Sequence, residues 1–99
     1  MGVQGALRRI DDAVEESLDA RERYEERQTG KSRRTVYEKS IREVQRIAGE
    51  TAGQQLGTWI ASRIREDGRL PSGKATRKRG ADICRENGHE VSSGSWLGT

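Results

Sequence analysis

Five positive charges and no acidic residue lie between positions 69 and 79, and these are Arg69, Lys74, Arg77, Lys78 and Arg79. Lysine and arginine neutralise phosphate groups, and the unpaired N–H groups at the start of a helix add partial positive charge. Cations beside the positive end of a helix are otherwise slightly unfavourable, so this stretch indicates an anionic partner.

A second basic patch precedes the central part of the chain. Lys31, Arg33 and Arg34 lie in a predicted connector over 29–34. With the five cations of 69–79 they make eight predicted nucleic-acid-binding residues. A basic patch equally suits an acidic protein surface or solubility alone, so the sequence leaves all three interpretations open.

The GRLPSGKAT stretch matches part of a nucleotide-binding loop. Gly68, Gly73 and Lys74 fit the G-x4-G-K frame, but Ala75 stands where the hydroxyl residue is required. No hydrophobic strand precedes the stretch, and no βαβ unit can be drawn around it. We therefore expect no nucleotide cofactor here.

Soft metal ligands and nucleophiles are scarce. Cys84 and His89 are the only Cys and His of the chain, whereas structural zinc takes four ligands. A single His with no identifiable orienting partner does not make a catalytic pair. We expect no metal, no cofactor, no small-molecule substrate and no enzymatic activity, and we expect Cys84 to be a small buried apolar residue.

The elements that must position the basic residues are helices. Apolar residues at helical spacing predict a first helix over about 5–28 and a central helix over about 35–67, which Thr35 and Glu38 begin as a capping box. Ser72 is a good cap for a third helix over about 73–87, and Gly88 suits its end. The sequence thus predicts a single all-α domain over 1–99 with three main helices.

The C-terminal segment is ambiguous. Ser92 could cap a short fourth helix that carries Trp96, the SSGS stretch could turn a hairpin, or 88–99 could be a flexible tail.

The central helix contains a row of small residues. Gly49, Gly53 and Gly57 are spaced four apart, and three glycines inside a helix cost about 2 to 3 kcal/mol relative to alanines. Either a second backbone packs closely on this row, or the helix breaks there. For the first alternative we predict an oligomer interface made of Gly49, Ala52, Gly53, Leu56, Gly57, Trp59 and Ile60.

Core-forming residues are few. Leu, Ile, Val and Phe together number 16 of 99 residues, below the level of about 20% that is typical of chains able to bury a core alone. The sequence therefore predicts a homo-oligomer, or a subunit completed by other members of an assembly.

The stretch ADICRENGHEVSSGSWLG resembles a helix-turn-helix. Ala81, Ile83 and Cys84 would lie on the first helix, Gly88 would make the turn, and Trp96 would pack back from the second helix. In that family the second helix lies in the DNA major groove. The resemblance implies DNA binding, with the preceding basic run on the phosphates.

Charge and hydropathy limit the expected location of the protein. Net charge is −3 over residues 1–30 and +3 over each of 31–67 and 68–99. No run of about 18 apolar residues and no signal-peptide pattern is present, so we expect no membrane partner and a location in the cytoplasm or within a viral particle. The leading prediction is a small nucleic-acid-associated protein, and the alternative is a structural or adaptor subunit such as a viral head–tail connector.

Overall fold

The computed structural model describes residues 2–28 and 30–98, so Thr29 of the predicted connector and Thr99 of the predicted tail lie outside the described residues. The chain is mostly helical, as the sequence predicts. Its helices are α1 (Gly2–Glu15), α2 (Leu18–Tyr24), α3 (Arg33–Ala48), α4 (Glu50–Asp67) and α5 (Gly73–Glu86). The strands β1 (Arg27–Gln28) and β2 (Lys31–Ser32) pair antiparallel between α2 and α3, and Trp96–Gly98 form a 3-10 turn.

The prediction of one continuous first helix is wrong, because two helices form in this region. α1 ends at Glu15, and Ser17 begins α2 because its side chain accepts a hydrogen bond from the backbone N–H of Ala20. The Ser17 hydroxyl also donates to the carbonyl of Gly68 at 2.9 Å. The chain therefore turns at Ser17, which ties α2 to the end of α4.

The capping box predicted at Thr35 is shifted by three residues. Ser32 is the residue that caps α3, and its side chain accepts from the backbone N–H of Thr35 at 3.2 Å. Thr35 is thus inside the first turn of the helix, where its hydroxyl lies 2.9 Å from that of Ser32.

The central helix is broken at Gly49 into α3 and α4. Gly49 has φ +98°, a conformation that residues with a β-carbon rarely adopt, and it ends α3 while beginning α4. A continuous helix over 35–67 would be about 50 Å long, whereas the longest extent of the chain is 37 Å. The break lets α4 fold back on α3.

The core lies where α4 meets α1 and α3. Leu7 and Ile10 of α1, Ile41 of α3, and Leu56 and Ile60 of α4 are all at most 1% exposed. Alanines supply much of the remaining core; those buried are Ala6, Ala13, Ala20, Ala52, Ala61 and Ala81. Small residues let helices approach closely, so the core is larger than a count of Leu, Ile, Val and Phe indicates.

The glycine row is packed inside the chain. A β-carbon on Gly53 would lie 3.3 Å from Cβ of Gln45 in α3, and one on Gly57 would lie 2.7 Å from Cβ of Ala6 in α1. The close packing predicted for this row therefore occurs between helices of one chain. Among the seven predicted interface residues, Gly49 is exposed, Trp59 is half-buried and the other five are buried within the chain.

The predicted second helix of the helix-turn-helix is not formed. After Gly88, which has φ +84°, the described residues contain only the 3-10 turn Trp96–Gly98. Leu97 anchors this turn, because a β-carbon on Gly80 of α5 would stand 2.9 Å from Leu97 Cδ2. The absent side chain of Gly80 thus leaves the space that Leu97 fills.

Candidate anion-binding cleft

Three cations converge on the ring of Trp96. The nitrogen Nζ of Lys39 lies 4.2 Å from the ring centroid, Nζ of Lys31 lies 4.8 Å from it, and Cζ of Arg77 lies 5.0 Å from it. The electron-rich face of an indole attracts cations at such distances. We call these four residues the Trp96 cluster.

Four separate elements build the Trp96 cluster. Lys31 comes from β2, Lys39 from α3, Arg77 from α5 and Trp96 from the C-terminal turn. The indole is fixed because its Nε1 donates to Ser40 Oγ at 3.1 Å, and Ser40 is fully buried and donates in turn to the carbonyl of Val36. The tertiary fold, and not a local motif, brings these charges together.

The positive charges of the cluster act on one another. The charge of Lys39 lowers the pKa of Lys31, and burial and the charge of Arg77 lower it further. Like charges this close disfavour the protonated lysine, so a bound anion would relieve the repulsion. Glu43 accepts a hydrogen bond from the Trp96 backbone, and its main partner is Arg46 at 2.5 Å.

A cleft of about 720 Å³ opens beside the cluster. One wall is basic and carries Lys31, Arg33, Arg69 and Arg77, whereas α2 and the residues after it supply Asp19, Glu22, Arg23 and Glu26. Val36, Leu70, Gly73 and Trp96 complete the lining. The carboxylates of the lining thus all come from α2 and the segment after it, whereas the basic residues other than Arg23 come from other elements; we call these two groups the acidic wall and the basic wall.

The loop before α5 is held against the basic wall. The carbonyl of Pro71 accepts hydrogen bonds from Tyr37 Oη and from Arg33 Nη1, both at 2.7 Å. Tyr37 is fully buried, and burial raises its pKa well above the ordinary value. These two bonds fix the loop that carries Arg69 and Leu70 into the cleft.

The eight cations predicted from the sequence divide into three groups. Lys31, Arg33, Arg69 and Arg77 line the cleft. Arg34 pairs with Asp11 at 3.4 Å and Arg79 with Glu86 at 3.1 Å, so these two have partners within the chain. Lys74 and Lys78 are exposed and do not line the cleft.

Two residues of the site were missed in the sequence-based prediction. Lys39 lies within α3, outside both basic patches, and Trp96 was assigned only a packing role. The signal for Trp96 was its position in a Ser- and Gly-rich segment with little other apolar material. No sequence signal connects Lys39 with Trp96, since they are distant in the chain.

The remaining groups that could do chemistry are the carboxylates, Cys84 and His89. Among the described residues, no three His, Cys, Asp or Glu side chains are grouped so that they could hold a metal ion. Cys84 is buried, and burial raises the pKa of its thiol, which makes it a poor nucleophile. Among the described helices, none is both long and apolar enough to cross a membrane.

Comparison of the chain with protein-family models, with curated proteins and with solved structures found no match.

Proposed function

We propose that this chain is a small helical protein that binds nucleic acid through its phosphate groups, in the cleft beside the Trp96 cluster. The observation that carries the proposal is the convergence of Lys31, Lys39 and Arg77 within 5.0 Å of one indole ring. Three cations held this close together attract a polyanion more strongly than the same charges dispersed over a surface.

The exposure of the lysines supports this function. Lys31 and Lys39 are both exposed, and no ion pair to a carboxylate within 4.0 Å involves either of them among the described residues. Arg69 also lines the cleft and has no hydrogen bond or ion pair from its side chain to another described residue. The side chain of Arg77 likewise has no hydrogen bond or ion pair to another described residue, so four cations are available for phosphate oxygens.

Aromatic and apolar surface beside these cations favours nucleic acid over a simple inorganic anion. Trp96 is half-buried and lies in the same cleft, with Val36 and Leu70. Proteins that bind nucleic acid without strong sequence preference combine a positive groove with aromatic surface. The alternative that the sequence also predicts, a structural or adaptor subunit, draws on the low core content, the row of small residues and the Ser- and Gly-rich tail; of these, the row is packed between helices of this chain.

Titration of a fluorescently labelled oligonucleotide at two salt concentrations tests the proposal. With four phosphate contacts, affinity should fall by about 50- to 150-fold between about 50 and 200 mM monovalent salt, because binding releases counterions. Absence of binding at about 50 mM salt, or an affinity that does not change with salt, would refute nucleic-acid binding.

A further inference from the structure

The two walls of the cleft are opposite in charge but do not neutralise each other. The basic wall carries Lys31, Arg33, Arg69 and Arg77, and the other wall carries the carboxylates of Asp19, Glu22 and Glu26 together with Arg23. Among the described side chains, no hydrogen bond and no ion pair within 4.0 Å joins the two walls. Polar groups therefore stay available on both sides of one opening.

A nucleic-acid duplex fits such a cleft poorly. Its two strands carry phosphates along both edges of each groove, at a density of about one charge per 1.7 Å of helix axis. A duplex seated on Lys31 and Arg77 would bring other phosphates towards Glu22 and Glu26, which would repel them. The acidic wall thus opposes binding of a duplex inside the cleft.

A single strand has the complementary arrangement. Its phosphates follow one edge, and its unpaired bases project from the other with their hydrogen-bonding edges free. The amino groups of cytosine, adenine and guanine are donors, and carboxylates accept from such groups. Asp19, Glu22 and Glu26 line the same cleft as the basic residues, so their carboxylates are acceptors within the space that the bases of a strand would enter.

The surface between the walls suits base planes. Val36, Leu70 and Trp96 are each half-buried, so each leaves part of its apolar surface in the cleft. Contact between bases and apolar or aromatic side chains tolerates different sequences, because every base has a flat apolar face. The volume of about 720 Å³ is in the range of pockets that enclose a small organic ligand.

From this arrangement we propose that the cleft binds single-stranded nucleic acid in preference to a duplex. The phosphates lie on Lys31, Arg69 and Arg77, and the base amino groups donate to the carboxylates of α2 and the residues after it. This inference rests on the proposed function, since it names the form of nucleic acid that the same site binds.

Competition between a mixed C- and A-containing strand and its duplex tests the inference. At equal salt we expect the strand to bind at least about tenfold more tightly than the duplex, with the DNA and RNA forms of the strand assayed separately to show which sugar is preferred. A duplex that binds as tightly as the DNA form and the RNA form of the single strand would overturn the proposed preference for single strands. If neither strand nor duplex binds at about 50 mM salt, the proposed function itself fails.

A matched pair of triple variants separates the acidic wall from net charge. Asp19→Asn, Glu22→Gln and Glu26→Gln together should bring the ratio of strand to duplex affinity close to one, because duplex repulsion and base contacts are both lost. The control Asp12→Asn, Glu15→Gln and Glu90→Gln changes net charge equally, at exposed acids that do not line the cleft, and should leave the ratio unchanged. If the ratio of strand to duplex affinity fell equally in both variants, the role of the acidic wall would be refuted.

Discussion

Gly57 of α4 lies directly against Ala6 of α1, so that a β-carbon on Gly57 would stand 2.7 Å from Cβ of Ala6 and 3.2 Å from its Cα. The two helix backbones approach here more closely than a side chain would permit. This contact explains a glycine inside a helix, where it otherwise costs about 1 kcal/mol relative to alanine.

Gly57→Ala should therefore destabilise the protein. The added methyl forces α1 and α4 apart, at a cost of about 1 to 3 kcal/mol that exceeds the gain in helix propensity. Urea unfolding should show a lower midpoint. Gly5→Ala is the matched control in α1, where the nearest atom to the new β-carbon is Gln54 Oε1 at 3.9 Å, and it should leave stability unchanged or raise it. A Gly57→Ala protein as stable as wild type would show that the contact is not tight.

Tyr37→Phe should loosen the loop that carries Arg69. The substitution keeps the buried ring but removes the hydroxyl that donates to the Pro71 carbonyl at 2.7 Å. Arg33 still donates to the same carbonyl, so we expect a loss of only about 1 kcal/mol in the free energy of unfolding. Thermal unfolding checks this, and an unchanged melting temperature would contradict the contribution of this hydrogen bond.

Lys39→Gln should raise the pKa of Lys31. The positive charge of Lys39 is the largest cause that lowers this pKa, so its removal makes protonation of Lys31 easier. NMR titration of the lysine ε-methylene signals measures the shift. Lys78→Gln is the control, since Lys78 is not among the charges that act on Lys31. Equal shifts in the two variants would show that net charge, and not the cluster, sets this pKa.

The lowered pKa of Lys31 also makes the stability of the folded protein depend on pH. The unfolded chain binds the Lys31 proton more tightly than the folded protein, so this residue makes folding more favourable as pH rises through its lowered pKa. We expect Lys39→Gln to reduce this alkaline increase, measured as the difference in unfolding midpoint between neutral and alkaline buffer. An increase of the same size in the variant would contradict the linkage.

Trp96→Leu should weaken nucleic-acid binding more than Trp96→Phe. Leucine removes the aromatic face that holds Lys31, Lys39 and Arg77 together, whereas phenylalanine keeps a ring for these cations. Both variants lose the hydrogen bond from Nε1 to Ser40 Oγ, so its loss is common to them. We expect a drop in affinity of about three- to tenfold for leucine relative to phenylalanine, on the scale of one cation–π contact. Equal losses would show that the ring does not organise the cations.

The sequence predicts where a helix begins or ends wherever residues close together in the chain determine that end. Ser72 caps α5 by accepting from the backbone N–H of Ala75, and Gly68 ends α4 in the left-handed conformation. The break at Gly49 is different, because a helical glycine and a glycine at a turn look alike in sequence. Contacts of α4 with α1 and α3 decide it, and those depend on residues far apart in the chain.

The site is predictable only in part for the same reason. Arg69 and Arg77 were identified because they belong to a local basic run, and Lys31 because it follows a helix end. Lys31 and Arg77 meet Lys39 at Trp96 because Leu97 packs against Gly80. No pattern along the chain indicates that packing. Lys74 and Lys78 belong to the same run yet lie away from the cleft, since successive residues of a helix point in different directions.

The salt dependence of binding in two double variants tests the central claim most directly. Lys31→Gln with Lys39→Gln removes two exposed cations of the Trp96 cluster, and Arg8→Gln with Arg21→Gln removes two exposed cations outside the cleft. Each lost phosphate contact lowers the slope of log affinity against log salt by about 0.7 to 0.9. We therefore expect the slope to fall by about 1.5 in the cluster variant and to stay near the wild-type value in the control. An equal fall in both variants would contradict phosphate binding at the Trp96 cluster.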